Sequence, residues 1–398
     1  MEKKIKKQVL AKPQTIYVEP PAGLAKQCRA ELEGLLKQPI IGAKFEAVIT
    51  EDDKFLKVEN IDYRVAMELV YRCLTPRNIW LQIQDSHVGS FGDLTKSLAK
   101  VSWEFFLPQK TLPQLEVQSF KSKLYHEGKI KELLQEQLGE LAYKKKDDKH
   151  RLQLIQKSNR MVLLLSMAGD DLYKRGFKSQ LATAAPLAEH LAAGLLWDFS
   201  DYEQVFVPFA GSGTLGFEAM FQALPMAPVN LGRYYSLEDI PATPQPTVNY
   251  LKKQLSTSEA DSLKLTFIDL DAKQCAEIKA NCKALSKVTG YQGEMDVLEG
   301  DFFNCATDHL EGQKVLLPLN PPYGIRLGQK SQGSVVFYSK MADRIVAIRK
   351  ACAQLQGFCL IPDEDSYKAL RQIIGELYWK TEHINQGGRH IRALYFKG

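Results

Sequence analysis

The chain has 398 residues, 45% of them hydrophobic and 25% charged, with a net charge of +5. That length exceeds one ordinary core and calls for roughly two to three domains, and the composition excludes collagen-like, low-complexity and disordered classes. No apolar run approaches the roughly 18 residues that cross a bilayer, and Met1-Glu2-Lys3-Lys4 opens no signal-peptide stretch, so a cytoplasmic protein without a membrane partner is expected.

The first stretch, 1–60, reads as a strand over 15–19, a helix over 24–36 and strands near 42–50 and 54–58, a small α+β unit. From residue 61 helical spacing puts Val65, Leu69 and Cys73 on one face and leads to an alternating strand over 79–83. A helix over 91–97, a strand over 115–119, a basic amphipathic helix over 128–138 and an apolar run over 161–165 complete a second α+β block, 61–168. Between Lys121 and Arg160 stand 11 Lys+Arg against 6 Asp+Glu, a local excess equal to that of the whole chain. Such a run is either a solvated face or a phosphate-contacting surface, and charge alone leaves both open. Lys144, Lys145, Lys146, Lys149 and Arg151 are the candidate phosphate contacts.

After residue 169 long helices alternate with short apolar strands at 204–207, 265–268, 297–299, 315–319 and 357–361, the pattern of a mostly parallel α/β sheet. A Pro-rich insertion over 225–246 separates the first two strands. Ligands of such sheets sit at the carboxyl ends of the strands, so chemistry is sought there. The seven cysteines form no C-x-x-C pair, and neither a metal site nor a disulfide framework is expected.

The first strand runs through Pro208 into Ala210-Gly211-Ser212-Gly213-Thr214-Leu215-Gly216 and a helix. Glycines let the backbone turn sharply and approach a ligand, and free helix-start amides attract negative groups. Gly211, Gly213 and Gly216 also fit the dinucleotide fingerprint G-x-G-x-x-G. Its acid normally follows by about 20 residues. Here Asp269 lies 56 residues beyond Gly213, so the fingerprint requires the insertion to be set aside. Asp269, where the second strand stops, can accept from both hydroxyls of a ribose, while Asp271 is placed to cap the next helix. After the third strand, Asp301 beside Phe302 can accept from an adenine amino group with the ring near its face, or simply make a turn. The fourth strand ends in Asn320-Pro321-Pro322-Tyr323-Gly324. Two prolines stiffen a loop that presents an amide, a carbonyl and a phenol together. An exocyclic amino group of a base is a poor nucleophile because its lone pair is delocalised. Held by the Asn320 oxygen and the Pro321 carbonyl, its nitrogen can pyramidalise toward a sulfonium methyl while Tyr323 stacks on the extruded base.

These residues resemble the amino methyltransferases with Asn-Pro-Pro-Tyr signatures. Asp171-Leu172-Tyr173-Lys174-Arg175-Gly176-Phe177, then Ala185-Pro186-Leu187-Ala188-Glu189-His190-Leu191-Ala192-Ala193, is similar to the segment before the cofactor domain in THUMP-containing guanine-N2 RNA methyltransferases. Asn230-Leu231-Gly232-Arg233-Tyr234-Tyr235-Ser236-Leu237-Glu238 resembles that family's insertion, and Asn320-Pro321-Pro322-Tyr323-Gly324-Ile325-Arg326-Leu327-Gly328 its catalytic loop. The resemblance, over about 15–398, implies a ferredoxin-like domain at 1–60, an RNA-gripping THUMP domain at 61–168 and a Rossmann-like catalytic domain at 169–398. It implies S-adenosylmethionine as cofactor, held by Pro208, Ala210, Gly211, Gly213, Thr214, Asp269, Asp301, Phe302 and Asn320. It further implies large-subunit ribosomal RNA as substrate with guanine N2 as acceptor, and it moves the basic run toward RNA contact.

The chain departs from the family at Val207, where the first motif carries an aspartate facing the methionine ammonium, and at Phe267, where glycine is frequent. Glu218 and Glu238 are the acids that could stand in for the lost aspartate. The competing readings are a DNA adenine-N6 methyltransferase, a catalytically degenerate RNA-binding relative and, least favoured, an NAD-linked oxidoreductase.

Overall fold

The computed structural model describes residues 2–108, 111–139, 145–178, 187–224, 226–256, 263–307, 310–322 and 331–398, and its strands form two seven-stranded sheets. The first contains β1 (Gln14–Glu19), β2 (Val48–Asp52), β3 (Phe55–Ile61), β4 (Asn78–His87), β5 (Thr111–Phe120), β6 (Lys145–Lys157) and β7 (Arg160–Ser166). Their order is β2-β3-β1-β4-β7-β6-β5, antiparallel except for the β5–β6 pair. β1 is central because it is apolar: Ile16 lies opposite Val58 on one side and Leu81 on the other. The two expected domains 1–60 and 61–168 therefore share a single sheet, and residue 60 is no boundary within it. Neither half could satisfy β1 alone, since each leaves one of its edges unpaired. Tyr17, Phe55, Trp80 and Leu164 make a small core on one face. The helix Tyr63–Arg72, capped by Asp62 accepting from the Arg64 amide, buries Val65, Leu69 and Val70.

The insertion belongs in part with this sheet. The chain divides into one compact unit of 1–20, 29–174 and 233–255 and a second of 21–28, 175–232 and 256–398. The break thus falls at 174/175 rather than 168/169, and residues 233–255 join the first unit. Backbone pairing explains why. The Leu237 amide donates to the Met167 carbonyl at 2.9 Å, the Ala242 amide to Phe105 at 2.9 Å, and the Tyr63 and Thr243 hydroxyls share a buried hydrogen bond of 2.8 Å.

In the second unit stand β8 (Gln204–Pro208), β9 (Lys264–Asp269), β10 (Met295–Glu299), β11 (Lys314–Leu319), β12 (Gln354–Ile361), β13 (Tyr378–Gln386) and β14 (Arg389–Lys397). The order is β10-β9-β8-β11-β12-β14-β13, parallel from β10 through β12, then antiparallel. Phe206, Val315, Leu317, Ile345 and Leu355 lie in its core, which explains the short apolar runs seen in the sequence: these strands are covered on both faces. Chain progress reverses at β8, with β9 and β10 on one side and β11 and β12 on the other. That is the switch point at whose carboxyl edge an open α/β sheet takes its ligand.

Candidate active site

β8 is buried throughout and stops at Pro208. The turn that follows leaves ordinary backbone space at once: Phe209 has φ +53°, Gly211 +55° and Gly213 +82° before the helix Thr214–Ala223 begins. A bulky residue at positive φ is strained, and such strain persists where the surroundings over-determine it. Here they do. The Ala210 amide donates to the Ile268 carbonyl at 3.1 Å, the Gly213 amide to Ala210 at 2.8 Å, and the Phe209 ring packs 5.5 Å from Phe302. The buried Asn281 amide donates to the Ser212 carbonyl at 3.2 Å. Two glycines have different causes. A Cβ on Gly216 would fall 2.4 Å from the Phe267 ring, so that glycine serves helix–strand packing. A Cβ on Gly211 would meet only the Gln274 side chain at 4.0 Å, so the turn there borders open space.

Asp269 ends β9 with one carboxylate oxygen accepting from the Gly211 amide at 2.8 Å and the other from the Asp271 amide at 3.0 Å. It therefore locks the glycine turn to the second strand, and each oxygen keeps a second lone pair for a hydroxyl. Asp271 caps the helix Ala272–Thr289 through the Lys273 amide at 2.8 Å. Leu270 between them is 68% exposed, an apolar surface against which an adenine face could lie.

Asp301 makes the turn that the sequence also allowed, and the Phe302 ring does not face a ligand as expected. The Asp301 carboxylate accepts from the Phe303 amide at 3.0 Å and the Asn304 side chain at 2.8 Å, which is turn geometry. Phe302 is 2% exposed, packed against Phe206 and Phe209, so its ring supports the core instead of facing a ligand. A hydrophobic side chain after a strand end is drawn inward unless something polar holds it out.

Asn320 follows β11 directly, half-buried, with Pro321 buried and Pro322 half-buried behind it. β11 pairs in parallel with β8, Leu316 opposite Val205, so the Asn-Pro-Pro segment and the glycine turn leave the same edge from neighbouring strands. Tyr323 lies outside the described residues, as do 324–330.

Two residues that sequence reasoning left without a role complete the edge. The Lys178 ammonium donates to the Glu189 carboxylate and to the Thr214 hydroxyl, both at 2.7 Å, with Lys178 and Glu189 only 16% and 11% exposed. Glu189 falls in the segment 185–193 that resembles the family, and Lys178 directly follows the resembling stretch 171–177. Val207 is 1% exposed, its Cγ2 3.2 Å from where a Gly216 Cβ would stand. It is a packing residue under the helix. Neither suggested stand-in acid is free. Glu218 is buried in a two-bond pair with Arg175, 3.0 and 2.8 Å, and burial pushes its carboxyl above the usual range while Arg175 pulls it back. Glu238 accepts from the Tyr71 hydroxyl at 3.1 Å and from Lys252 at 2.8 Å.

Of the five candidate phosphate contacts, Lys149 and Arg151 have described side chains. Lys144 and the side chains of Lys145 and Lys146 lie outside the described residues. Lys149 is exposed, with its ammonium 4.7 Å from the Tyr234 ring. Arg151 is committed to Asp171 at 2.9 Å and lies over the Trp80 ring, so it is a structural cation.

The donor set suits S-adenosylmethionine. The Asp269 carboxylate matches a ribose diol, the open turn at Gly211 admits the nucleoside, and the Lys178–Glu189 pair beside a helix start matches the two charges of an amino-acid tail. Fold and site together define a methyltransferase of the mostly parallel α/β type. The chain belongs to the RMKL-like methyltransferase domain family, whose pattern matches residues 176–391. A Synechocystis protein provisionally named an RNA methyltransferase is 26% identical over 71% of this chain and 73% of its own. Ribosomal RNA large subunit methyltransferase K/L of Marinomonas is 26% identical over 62% of this chain and 34% of its own, so the chain spans about a third of that relative's length. The solved structure of SMU.472, provisionally named a methyltransferase and complexed with SAH, overlays with a TM-score of 0.75 at 18% identity, covering 97% of this chain and 98% of that one. Among the described residues no helix is long and apolar enough to cross a membrane, and no group of three or more His, Cys, Asp or Glu is placed to hold a metal ion.

Proposed function

We propose that this methyltransferase acts on RNA, placing a methyl group on the exocyclic N2 of a guanine in large-subunit ribosomal RNA. The observation that carries the reading is the shared edge: the glycine turn bound to Asp269 on one strand, and Asn320-Pro321-Pro322 on the strand beside it. The cofactor is S-adenosylmethionine, which supplies an electrophilic sulfonium methyl when bound. The chain's residues do the rest. Asp269 holds the ribose, Lys178 and the amides at the start of the helix Thr214–Ala223 take the methionine carboxylate, and Glu189 takes the ammonium in place of the acid missing at 207. The Asn320 oxygen and Pro321 carbonyl accept the two amino hydrogens, so the nitrogen's lone pair turns out of conjugation toward the methyl. Tyr323 stacks on the base. After transfer the nitrogen sheds one proton to solvent.

RNA as the acceptor is supported by the names of both relatives, and guanine N2 by the family resemblance of the Asn-Pro-Pro-Tyr loop and of the insertion. Mass spectrometry of nucleosides from a deletion strain and its parent tests the reading. Loss of N2-methylguanosine from large-subunit RNA is the expected result. Loss of N6-methyladenosine from DNA would transfer the activity to the other amino acceptor, and no loss, with no calorimetric S-adenosylmethionine binding, would leave an RNA-binding relative.

A further inference from the structure

β5 ends in the turn Phe120-Lys121-Ser122-Lys123-Leu124-Tyr125-His126, on the edge strand of its sheet. Phe120 is 51% exposed and Tyr125 67%, the two most exposed aromatic rings among the described residues, and the His126 ring lies 4.1 Å from Tyr125. The turn that carries these rings is fixed. The Ser119 amide donates to Glu127 at 2.8 Å, the Lys123 amide to the Asn159 side chain at 2.9 Å, the Ser158 amide to the Phe120 carbonyl at 3.1 Å, and the Ser122 hydroxyl to the same carbonyl at 3.0 Å. Lys121 takes a positive φ of 46° to make the bend, and Leu124 turns inward as its anchor. The neighbouring cations are spoken for: Lys157 pairs with Asp53, Arg160 with Asp85 and Lys129 with Glu132. Lys121 and Lys123 are exposed and enter no ion pair among the described residues.

We infer that this turn is a stacking platform for single-stranded RNA, an inference that rests on the RNA reading above. Rings held out on a rigid loop offer two faces to unpaired bases without further ordering cost, and interleaved unpaired lysines reach the phosphates between them. A protein partner of ordinary size would need about 800 Å² with an apolar centre. Here the one aliphatic residue of the turn faces inward, and lysines separate the rings.

The test uses the full chain and fluorescence anisotropy with a labelled oligouridylate of roughly ten nucleotides, within the usual site size, beside a duplex of equal length. Phe120→Ala/Tyr125→Ala is expected to weaken single-strand binding about tenfold or more, on the scale of lost base stacking, with duplex binding, melting temperature and S-adenosylmethionine affinity unchanged. Lys121→Ala/Lys123→Ala is expected to flatten the slope of log K against log salt by about 1.4, from roughly 0.7 per single-strand phosphate contact. Should the ring pair destabilise the chain, Tyr125→Ala alone, at the most exposed ring, carries the same expectation at about fivefold. Unchanged oligouridylate affinity in the ring variants, against a wild type that binds it, overturns the platform, assigns the turn to a protein partner and leaves the methyltransferase reading intact. A wild type that binds neither oligouridylate, duplex nor large-subunit RNA fragments overturns both.

Discussion

Arg175→Met tests whether Glu218 is structural or belongs to the cofactor. In the folded chain the Arg175 and Glu218 side chains are 0% and 1% exposed and meet through two charge-assisted hydrogen bonds. Removing one partner strands a buried carboxylate, which costs about 3–5 kcal/mol. At roughly 2–4 °C per kcal/mol for a unit of 150–250 residues, melting should fall by about 6–20 °C at neutral pH. The pH dependence has a definite sign. Burial already holds Glu218 above the ordinary glutamate range, and Arg175 opposes that shift; without it the folded-state pKa rises further. A raised folded-state pKa means that the folded chain keeps a proton the unfolded chain releases near pH 4.3. Stability is thus fullest below that pH and is lost as pH rises through the folded value. The gap between variant and wild type should be smallest near pH 4 and widen toward pH 8. Arg175→Met/Glu218→Leu should recover most of the loss, because two matched apolar groups replace the pair. Calorimetric melts across that range, with cofactor titration beside them, read all of this. A loss under about 1 kcal/mol, or one that ignores pH, would mean the carboxylate is solvated and available to a ligand.

Asp269→Ala is expected to weaken S-adenosylmethionine binding by about 1.5–3 kcal/mol, since it unpairs a ligand hydroxyl and frees the Gly211 amide, whereas Asp271→Ala should lower stability by about 1 kcal/mol and leave calorimetric affinity alone. Lys178→Met and Glu189→Gln should each weaken S-adenosylmethionine by about 1.5–3 kcal/mol while sparing adenosine, which lacks the amino-acid tail; equal loss for both ligands would remove the pair from that role. Asn320→Ala should cut single-turnover methyl transfer by roughly 10²-fold with cofactor affinity nearly intact, and wild-type rates would take Asn320 out of the mechanism. Val207→Asp, which would repair the family motif on paper, should instead lower the melting temperature, by the cost of burying an unpaired carboxyl beside Gly216, about 1–3 kcal/mol or more, and bring no gain in affinity.

The catalytic sheet was legible because buried parallel strands announce themselves: 204–207, 265–268 and 315–319 are short, largely apolar runs, followed at once by Pro208, Asp269 and Asn320. Local chemistry was legible too. Asp271 precedes a helix and caps it, whereas the bond from the Gly211 amide to Asp269 one strand over appeared only in the structure. β6 was not foreseen, since its first half is Lys and Asp without alternation and only its partners β5 and β7 hold it in a sheet.

What the sequence determined by itself follows from covalent and short-range physics: strand ends, helix caps, the positive-φ glycines and the stiff Asn-Pro-Pro segment. Tertiary structure alone decided which charges are spoken for. Arg151, Glu218 and Glu238 read as free surface or site residues because a one-dimensional chain does not show that Asp171, Arg175 and Lys252 meet them. The same holds for Lys178 and Glu189, 11 residues apart yet joined at Thr214, and for Val207, whose burial under Gly216 turns a lost acid into a packing contact. Burial and pairing are properties of what surrounds a side chain, and for these residues the surroundings are supplied by distant segments of the chain.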